Sequence, residues 1–397
     1  MCSNSRPIGT RWWLSAVLAL FSVANCADAP TEPAPVDRTS TLSIDLVAEG
    51  FDRPLFVGAP TRDPRLFVGE RTGRIWILRD GTRLPQPFLD LSAVVRTQGN
   101  EDGLLGVAFH PDYQVNRHVY VSFVEGDGAI RLARFTASST DPNLVDPASR
   151  LNIRRIPHTG FLHYGGMIQF LPDRTLLMSV GDAGSGNSSG GDSQLPSTLR
   201  GKLIRLDVST SAPFVVPADN PFVGNSAYRP EVFALGLRNP WRFWVDAPSM
   251  QLFIADVGEG SYEELNVVPL GSAGGANFGW SLLEGPLCLP TSSTCELTQR
   301  IDPDVAYAHG PGCNSITGGL VYRGRAHPEH VGRYFYSDFC QGWLRSLRAA
   351  NGEVFEELEW TLTRPMPRIT SFGIDGQGEM HAVSYLGQVF RLGAGTR

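Results

Sequence analysis

The chain has 397 residues, of which 42% are hydrophobic and 19% charged, and its formal net charge is −6. That is the composition of a globular protein with a large core. Both signs of charge are scattered along the chain without a basic stripe, which argues against nucleic acid as a partner. Glycine and proline are abundant and runs of helix formers are scarce, so many short strands and turns are expected.

The N-terminus has the pattern of an export signal. Arg6 and Arg11 precede an almost wholly apolar run over residues 12–24, which is too short for a comfortable membrane span. Val23-Ala24-Asn25-Cys26 is similar to a lipoprotein cleavage box, although Asn25 stands where a small residue is expected. Lipidation of Cys26, giving a lipid anchor, and ordinary signal cleavage nearby both stay open. We predict a signal peptide over 1–26, a disordered tether over 27–41, and a periplasmic or extracellular location.

Four cysteines lie beyond the signal and its cleavage box. Cys288 and Cys295 flank a short loop rich in Pro, Ser and Thr, and Cys313 and Cys340 bracket a strand pair. In an exported protein these spacings predict disulfides. A zinc site is disfavoured, because no CxxC and no paired histidines accompany the cysteines.

A pattern of three apolar strands separated by turns recurs six times. The first strands of the copies begin at Leu55, Leu105, Met167, Trp241, Gly319 and Ser371. Six such sheets can bury both faces if they stack radially, and the ring then protects the strand edges. We predict an all-β, six-bladed β-propeller over residues 42–397, whose last blade is completed by an early strand at 43–48. A β-sandwich fits six similar units poorly.

Familiar catalytic signatures are missing or out of context. The chain has no GxGxxG after a strand, no GxxxxGK[ST] and no HExxH. Gly186-Asn187-Ser188-Ser189-Gly190 matches GxSxG, but no strand precedes it and no helix follows it. A flexible loop therefore explains this segment better than a nucleophile elbow does.

Polar residues precede the first strands of three adjacent copies. His163 comes just before the strand of blade 3, Arg238 and Asn239 before that of blade 4, and Glu101 before that of blade 2. In a propeller these positions meet at one mouth of the central channel. Histidine can take a proton near neutral pH, and an Arg-Asn pair can hold an electron-rich oxygen. Structural hydrogen bonding of His163 and ion pairing of Arg238 are the alternatives.

Two glycines follow His163-Tyr164. Gly165 and Gly166 would let a flat ligand or another stretch of backbone approach closely.

The segment from Asp256 to Asn266 is acidic, glycine-rich and turn-like. Carbonyl and carboxylate oxygens gathered in one loop suit calcium, although an acidic solvated turn would have the same composition. Asp182 and Asp192, with their neighbouring glycines, form a second candidate of the same type.

Ordered motifs from about residue 45 to 395 resemble the soluble glucose/sorbosone dehydrogenase family. They are Glu101-Asp102-Gly103-Leu104-Leu105-Gly106-Val107-Ala108-Phe109-His110-Pro111-Asp112, His163-Tyr164-Gly165-Gly166, Gly181-Asp182, Gly201-Lys202-Leu203-Ile204-Arg205-Leu206-Asp207, Leu237-Arg238-Asn239-Pro240, Glu264-Leu265-Asn266 and Asn277-Phe278-Gly279-Trp280. The cysteines are similar to those of a branch that includes hedgehog-interacting-like extracellular propellers.

The resemblance implies pyrroloquinoline quinone (PQQ) in an axial pocket, together with calcium. It implies that His163 is the general base on a sugar C1 hydroxyl, that Arg238 stabilises developing negative charge, and that Asn239 contacts the cofactor. Glu101 occupies a further cofactor-contacting position, and the main-chain oxygens of Gly258 and Glu259 match the calcium-presenting loop. The substrate would be an aldose sugar or small polyol.

Two residues depart from the family pattern. The quinone enzymes often have glutamine where Glu101 stands, and a carboxylate there would repel an anionic cofactor. They also place cations in the late blades, where this chain has Asp338, with Arg323 and Arg325 nearby in sequence.

The sequence therefore favours an exported quinone-dependent sugar dehydrogenase. A non-catalytic extracellular propeller that binds carbohydrate or protein is the main alternative, motivated by Glu101 and Asp338. A calcium-dependent hydrolase of lactones or esters is a third possibility, because one fold can host many functions.

Overall fold

The computed structural model describes residues 40–184, 191–210, 212–289 and 300–393, which belong to one compact unit. The predicted signal peptide with Cys26, nearly all of the predicted tether, the GxSxG segment and Cys295 lie outside these residues. Within the described parts of the chain, no helix is long and apolar enough to cross a bilayer.

Six antiparallel sheets form the blades of a propeller, one for each copy of the repeat. The predicted all-β, six-bladed fold is therefore confirmed. Blade 1 consists of Pro54–Gly58, Leu66–Glu70, Arg74–Arg79, Thr82–Arg83 and Leu89–Asp90. Blade 2 consists of Leu104–Phe109, His118–Val124, Ile130–Thr136 and Leu151–Ile156. Blade 3 consists of Gly165–Phe170, Leu176–Val180, Lys202–Leu206 and Val232–Leu235.

The second half of the ring repeats this arrangement. Blade 4 consists of Pro240–Asp246, Gln251–Asp256, Tyr262–Pro269 and Val305–Ala308. Blade 5 consists of Ile316–Val321, Arg333–Asp338, Leu344–Ala350 and Glu353–Glu359. Blade 6 consists of Ile369–Ile374, Met380–Ser384, Gln388–Leu392 and the early strand Ile44–Ala48. The first strand given for each blade is its inner strand.

The ring closes through the early strand, as predicted. Ile44–Ala48 pairs antiparallel with Gln388–Leu392, and Ile44 lies opposite Leu392. Both ends of the domain thus contribute strands to one sheet, and this pairing closes the ring between blade 6 and blade 1.

The remaining elements are short and lie outside the six blade sheets. Two small ladders join Thr41–Leu42 to Thr361–Leu362 and Leu283–Glu284 to Leu287–Cys288. The helices are Tyr113–Asn116, Gly191–Gln194 and Leu270–Ala273, and the 3₁₀ turns are Pro147–Ser149 and Pro328–His330.

The core lies between the blades rather than at the axis. Six apolar clusters are present, one at each interface between neighbouring blades. The last of them packs Val57 and Val68 of blade 1 against Val383 and Val389 of blade 6. Because each fully buried side chain of this size contributes about 1.5–3 kcal/mol, these interfaces hold the ring together.

A disulfide joins Cys313 and Cys340, as predicted from their spacing. It links the segment before the inner strand of blade 5 to the turn after the second strand of that blade, with a Cα–Cα distance of 5.5 Å. Cys288 is also disulfide-bonded.

Candidate functional site

A cavity of about 490 Å³ opens at the face of the ring where the inner strands begin. It is lined by Leu55, Asn100, Glu101, Asn239, Trp241, Val257, Cys313, Ser315, Ile316, Thr317, Phe339, Cys340, Thr370 and Tyr385. Hydroxyl, amide and aromatic groups therefore dominate its wall. Among the described residues of this lining, Glu101 alone carries a charge.

Glu101 connects three blades at this cavity. Its Oε2 accepts hydrogen bonds from the main-chain N–H of His163 at 2.7 Å and from Nδ2 of Asn239 at 3.1 Å. Oδ1 of Asn239 in turn accepts from the N–H of Gly165 at 3.2 Å. The expectation that Glu101, His163 and Asn239 meet at one mouth is thus met by direct contacts. The carboxylate positions the other two residues.

His163 is held by a buried carboxylate that follows the second strand of blade 3. Nδ1 of His163 lies 2.6 Å from Oδ1 of Asp182, whose Oδ2 accepts from Nε1 of Trp280 at 2.8 Å. Burial raises the pKa of Asp182, but the hydrogen bonds from His163 and Trp280 outweigh it, so the pKa lies below its ordinary value. An ionised Asp182 can only accept, so Nδ1 of His163 donates to it, and Nε2 is the ring nitrogen left to accept a proton.

The backbone at His163 is strained and held in place from two sides. Its φ of 60° lies in the left-handed region, which is uncommon for a residue with a side chain. His158 contacts the carbonyl oxygen of His163 through Nε2 at 3.1 Å and stacks on the ring of Tyr164 with centroids 3.9 Å apart. Together with Glu101, these contacts fix the direction of the imidazole.

Arg238 lies on the blade 4 side of the same histidine. Its guanidinium donates from Nη1 to the carbonyl of Val257 at 3.0 Å and lies over the ring of Trp280, 5.4 Å from the centroid. Its carbonyl accepts from the N–H of Asp182 at 2.8 Å. No carboxylate forms an ion pair with its side chain in the part of the chain that the structure describes, so the ion-pairing alternative is not supported.

His163 and Arg238 share neighbours rather than a cavity wall. Both are anchored around Asp182 and Trp280, whereas Glu101 and Asn239 line the cavity directly. His163 and Arg238 thus lie outside the cavity lining, each bonded to a residue that belongs to it: His163 to Glu101 and Arg238 to Val257.

Buried acids lie beneath this corner of the site. Both oxygens of Asp256 accept main-chain N–H groups, from Arg238 at 2.8 Å and Asn239 at 2.6 Å. Burial raises the pKa of Asp256 to about 7 and that of Glu264 to about 8. Asp256 therefore fixes the backbone of the Arg-Asn pair from below while taking up protons more readily than an exposed carboxylate.

The predicted calcium loop wraps around another carboxylate. Oε1 of Glu284 accepts from the consecutive N–H groups of Glu259, Gly260, Ser261 and Tyr262, at 2.8 to 3.2 Å. Burial raises the pKa of Glu284, but these backbone donors outweigh it and lower the pKa below its ordinary value.

The carbonyl oxygens of Gly258 and Glu259 accept no hydrogen bond from the described residues. They are the oxygens that the family resemblance assigns to calcium. No group of three or more acidic, histidine or cysteine side chains is arranged for a metal within the described ranges. The calcium assignment thus depends on main-chain oxygens and stays a prediction.

The carboxylates of Asp182 and Asp192, the second calcium candidate suggested by their glycine-rich surroundings, have protein partners among the described residues. Asp182 binds His163 and Trp280, and Oδ2 of Asp192 accepts from Nε of Arg200 at 2.6 Å.

The late-blade charges also lie elsewhere than the resemblance implies. Asp338 is fully buried, and its oxygens accept from the hydroxyl of Tyr307 and the N–H groups of Ser315, Cys340 and Gln341, at 2.7 to 2.9 Å. The expectation that Asp338 opposes a cofactor was therefore wrong, because this carboxylate holds the disulfide-linked loops together. Arg323 follows the far end of the inner strand of blade 5, where it pairs with Asp246.

Gly165 and Gly166 let other parts of the protein pack closely against them, because they have no side chain. A Cβ on Gly166 would lie 2.5 Å from the side chain of Leu105 in the neighbouring blade, and both glycines have positive φ. The glycines thus bring blades 2 and 3 together beside His163.

Sequence reasoning missed two members of the site. Asp182 was assigned to a calcium loop and Trp280 was only part of a motif, yet both contact the histidine or its carboxylate partner. The signal that could have found Asp182 is its position directly after the second strand of the histidine's own blade.

Comparison with known proteins places these residues in a family. The glucose/sorbosone dehydrogenase sequence profile matches residues 52–384. The chain is 32% identical to the HIPL1 protein of Arabidopsis thaliana over 314 residues, covering 64% of this chain and 44% of the relative. It is 26% identical to the hedgehog-interacting protein of Mus musculus over 371 residues, which cover 87% of this chain and 51% of that relative. The chain thus spans about half the length of these relatives.

Solved structures share the fold. A glucose dehydrogenase crystal structure superposes with a TM-score of 0.76 at 24% identity, covering 89% of this chain and 99% of the other. The PQQ-bound aldose sugar dehydrogenase of Streptomyces coelicolor superposes with a TM-score of 0.67 at 20% identity, covering 89% and 99%. With the profile match over most of its length, the chain belongs to the glucose/sorbosone dehydrogenase family.

Proposed function

We propose that the chain is an exported quinone-dependent dehydrogenase that oxidises an aldose sugar or related alcohol at a hydroxyl-bearing carbon. The observation that carries the proposal is the pairing of His163 with an ionised, buried Asp182 beside a cavity at the propeller mouth. Nε2 of His163 is then a base of fixed tautomer, which is what removal of a hydroxyl proton requires.

The cavity wall fits a flat quinone in size and polarity. Trp241 and Phe339 bring aromatic rings to the wall, and Tyr385 brings a phenolic hydroxyl. The hydroxyls of Thr317 and Thr370 each donate to a main-chain carbonyl at 2.6 Å, so toward a ligand they are acceptors. These residues, with Asn239, would hold PQQ.

The cations available to the carboxylates of PQQ lie at the rim rather than in the wall. Arg368 stacks on Phe339 at 5.1 Å, and its main-chain oxygen accepts from Tyr385 at 2.9 Å. Arg53 lies beside the same tyrosine, with its guanidinium also paired with Asp52 at 2.8 Å. Bound there, PQQ would supply the two-electron acceptor that the protein's own side chains lack.

The protein's own groups divide the remaining work. His163 takes the hydroxyl proton, and Asp182 stabilises the imidazolium that results. Arg238, without a carboxylate partner among the described residues, contributes positive charge where negative charge develops. Glu101 holds His163 and Asn239 in position through hydrogen bonds to both. Calcium at the free carbonyl oxygens of Gly258 and Glu259 would add a Lewis acid.

A non-catalytic carbohydrate-binding propeller is the second candidate. It is favoured by the cavity lining, in which the one charged side chain among the described residues is acidic and the disulfide forms part of the wall. Such a wall suits neutral hydroxyl-bearing ligands as well as it suits a quinone.

Quinone titration separates the two candidates. The purified protein should change the absorbance of PQQ at stoichiometric ratio in the presence of calcium, and should then reduce an artificial electron acceptor with aldoses. His163→Gln should bind PQQ but lose turnover, whereas His118→Gln, on the opposite face, should keep both. Sugar binding without any quinone binding would establish the second candidate instead.

A further inference from the structure

A second cavity, of about 290 Å³, occupies the other half of the propeller axis. It is bounded by residues toward the far ends of the inner strands, including Phe109, Phe170 and Ile374. Leu55 borders both cavities, while Trp241 faces the first and Arg242 the second. The axis is therefore divided into two compartments at the level of Arg242.

Arg242 crosses the axis from blade 4. Nε donates to Oγ of Ser371 in blade 6 at 3.0 Å, and Nη2 donates to the carbonyl of Leu55 in blade 1 at 2.7 Å. Nη1 donates to the carbonyl of Trp241 at 2.8 Å. These bonds fix the guanidinium in the channel, but they use three of its five N–H donors.

The charge of Arg242 has no counter-ion among the described residues. The residue is 3% exposed, and burial lowers its pKa to about 9, with no neighbouring charge acting against that shift. It is thus still protonated at neutral pH. The guanidinium lies over the ring of Trp241, 4.5 Å from the centroid, which stabilises the cation in part but supplies no negative charge. A buried cation remains costly unless an anion compensates it.

Trp244 borders the same cavity with its ring. It is two positions beyond Arg242 on the same strand, so both side chains leave the same face, about 7 Å apart along the strand. Nε1 of Trp244 is itself buried, so the ring and not the N–H lines the compartment. Arg242 is therefore the charged group that the described lining presents to a ligand.

Apolar residues form most of the remaining wall. They include Phe56, Phe109, Phe170 and Phe372, and a few polar side chains such as Gln114 and Gln169 lie among them. A hydrated inorganic anion would gain little from such a wall, whereas an apolar body would be desolvated by it.

We propose that this compartment binds a small amphipathic carboxylate, with the carboxylate facing Arg242 and an aromatic or aliphatic body against the phenylalanines. The site is separate from the His163 cavity and does not depend on the proposed dehydrogenase activity.

Calorimetry with 3-phenylpropionate at pH 7.5 tests the proposal, with 3-phenylpropionamide as the uncharged isostere. The wild-type protein should bind the acid at least about tenfold more tightly than the amide, because a hydrogen bond to a charged group contributes about 1.5–3 kcal/mol. Equal affinities for acid and amide, or no binding of the acid at millimolar concentration, would overturn the proposal.

One substitution locates the bound acid. Arg242→Met removes the cation but keeps an unbranched side chain, and should bind acid and amide alike. A folded Arg242→Met protein that still prefers the acid would show that the site lies elsewhere and that the assignment is wrong. If this variant does not fold, the comparison of acid and amide in the wild-type protein decides the proposal.

Discussion

His163 and Asp182 lie in the same blade, 2.6 Å apart at Nδ1 and Oδ1, although 19 residues separate them in the chain. The inner strand and its neighbour form a hairpin whose two ends meet at the mouth of the propeller. The hairpin therefore brings base and carboxylate together without help from any other blade, and Trp280 completes the arrangement from outside.

Asp182→Asn should lower turnover of the quinone-loaded protein by about 10²–10⁴-fold, because the amide no longer fixes the proton on Nδ1. The affinity for PQQ should stay within about threefold, since Asp182 does not line the cavity. Steady-state kinetics and quinone titration measure the two effects separately. Asp207→Asn, on the opposite face, is the control, and a large loss of quinone affinity in Asp182→Asn would contradict a positioning role.

Glu101→Gln should tighten PQQ binding about tenfold, because it removes the negative charge from the cavity wall while an amide oxygen can still accept from His163 and Asn239. Glu101→Ala removes both charge and acceptor, so it should reduce turnover through misplacement of His163. Titration at low and high salt measures the charge effect. Unchanged affinity in Glu101→Gln at both salt concentrations would show that Glu101 does not face the cofactor.

Gly258→Ala should abolish stabilisation by calcium. A Cβ there would lie 1.6 Å from the carbonyl oxygen of Tyr262, so the loop would have to move. Gly260→Ala meets no atom within 4 Å and provides a matched control in the same loop. Thermal unfolding with calcium and with EDTA should show a calcium-dependent rise of the melting temperature in wild type and Gly260→Ala only. A similar rise in Gly258→Ala would place calcium elsewhere.

Glu264 should make the metal-free protein less stable as the pH rises. Burial and then the charge of Asp256 raise its pKa from an ordinary 4.5 to about 8. Its contribution to stability is therefore full below the unfolded pKa and is lost as the pH rises through about 8. In EDTA, the free energy of unfolding of Glu264→Gln should exceed that of wild type by at least about 1 kcal/mol at pH 8.5. This difference should disappear near pH 4.5.

Urea denaturation between pH 4.5 and 9 measures this difference. Glu353→Gln changes an exposed residue in blade 5, so its free energy of unfolding should follow that of wild type over the whole pH range. A profile for Glu264→Gln that also runs parallel to wild type would mean that Glu264 titrates normally.

The architecture was readable from sequence because each blade repeats the same alternation of apolar strands and turns. The early strand could be assigned to blade 6 because the sixth copy otherwise lacks an outer strand. The partners of Asp338 and Glu101 could not be read in this way. Sequence gives the sign of a carboxylate but not the direction in which it points, and both turn toward main-chain N–H groups of distant loops.

The direction of the Arg242 side chain could not be predicted from the sequence either. It lies inside an inner strand, at a position that the repeat pattern assigns to the core. Only the geometry of the closed ring shows that its guanidinium reaches two other blades.

The pairing of Ile44–Ala48 with Gln388–Leu392 builds blade 6 from strands at the two ends of the propeller domain. A protein cut at residue 49 would keep five whole blades but expose the edge of Gln388–Leu392, and such an edge recruits strands from other molecules. During synthesis the ring cannot close before Gln388–Leu392 has been made, so Ile44–Ala48 waits for its partner strand while the blades between them are produced.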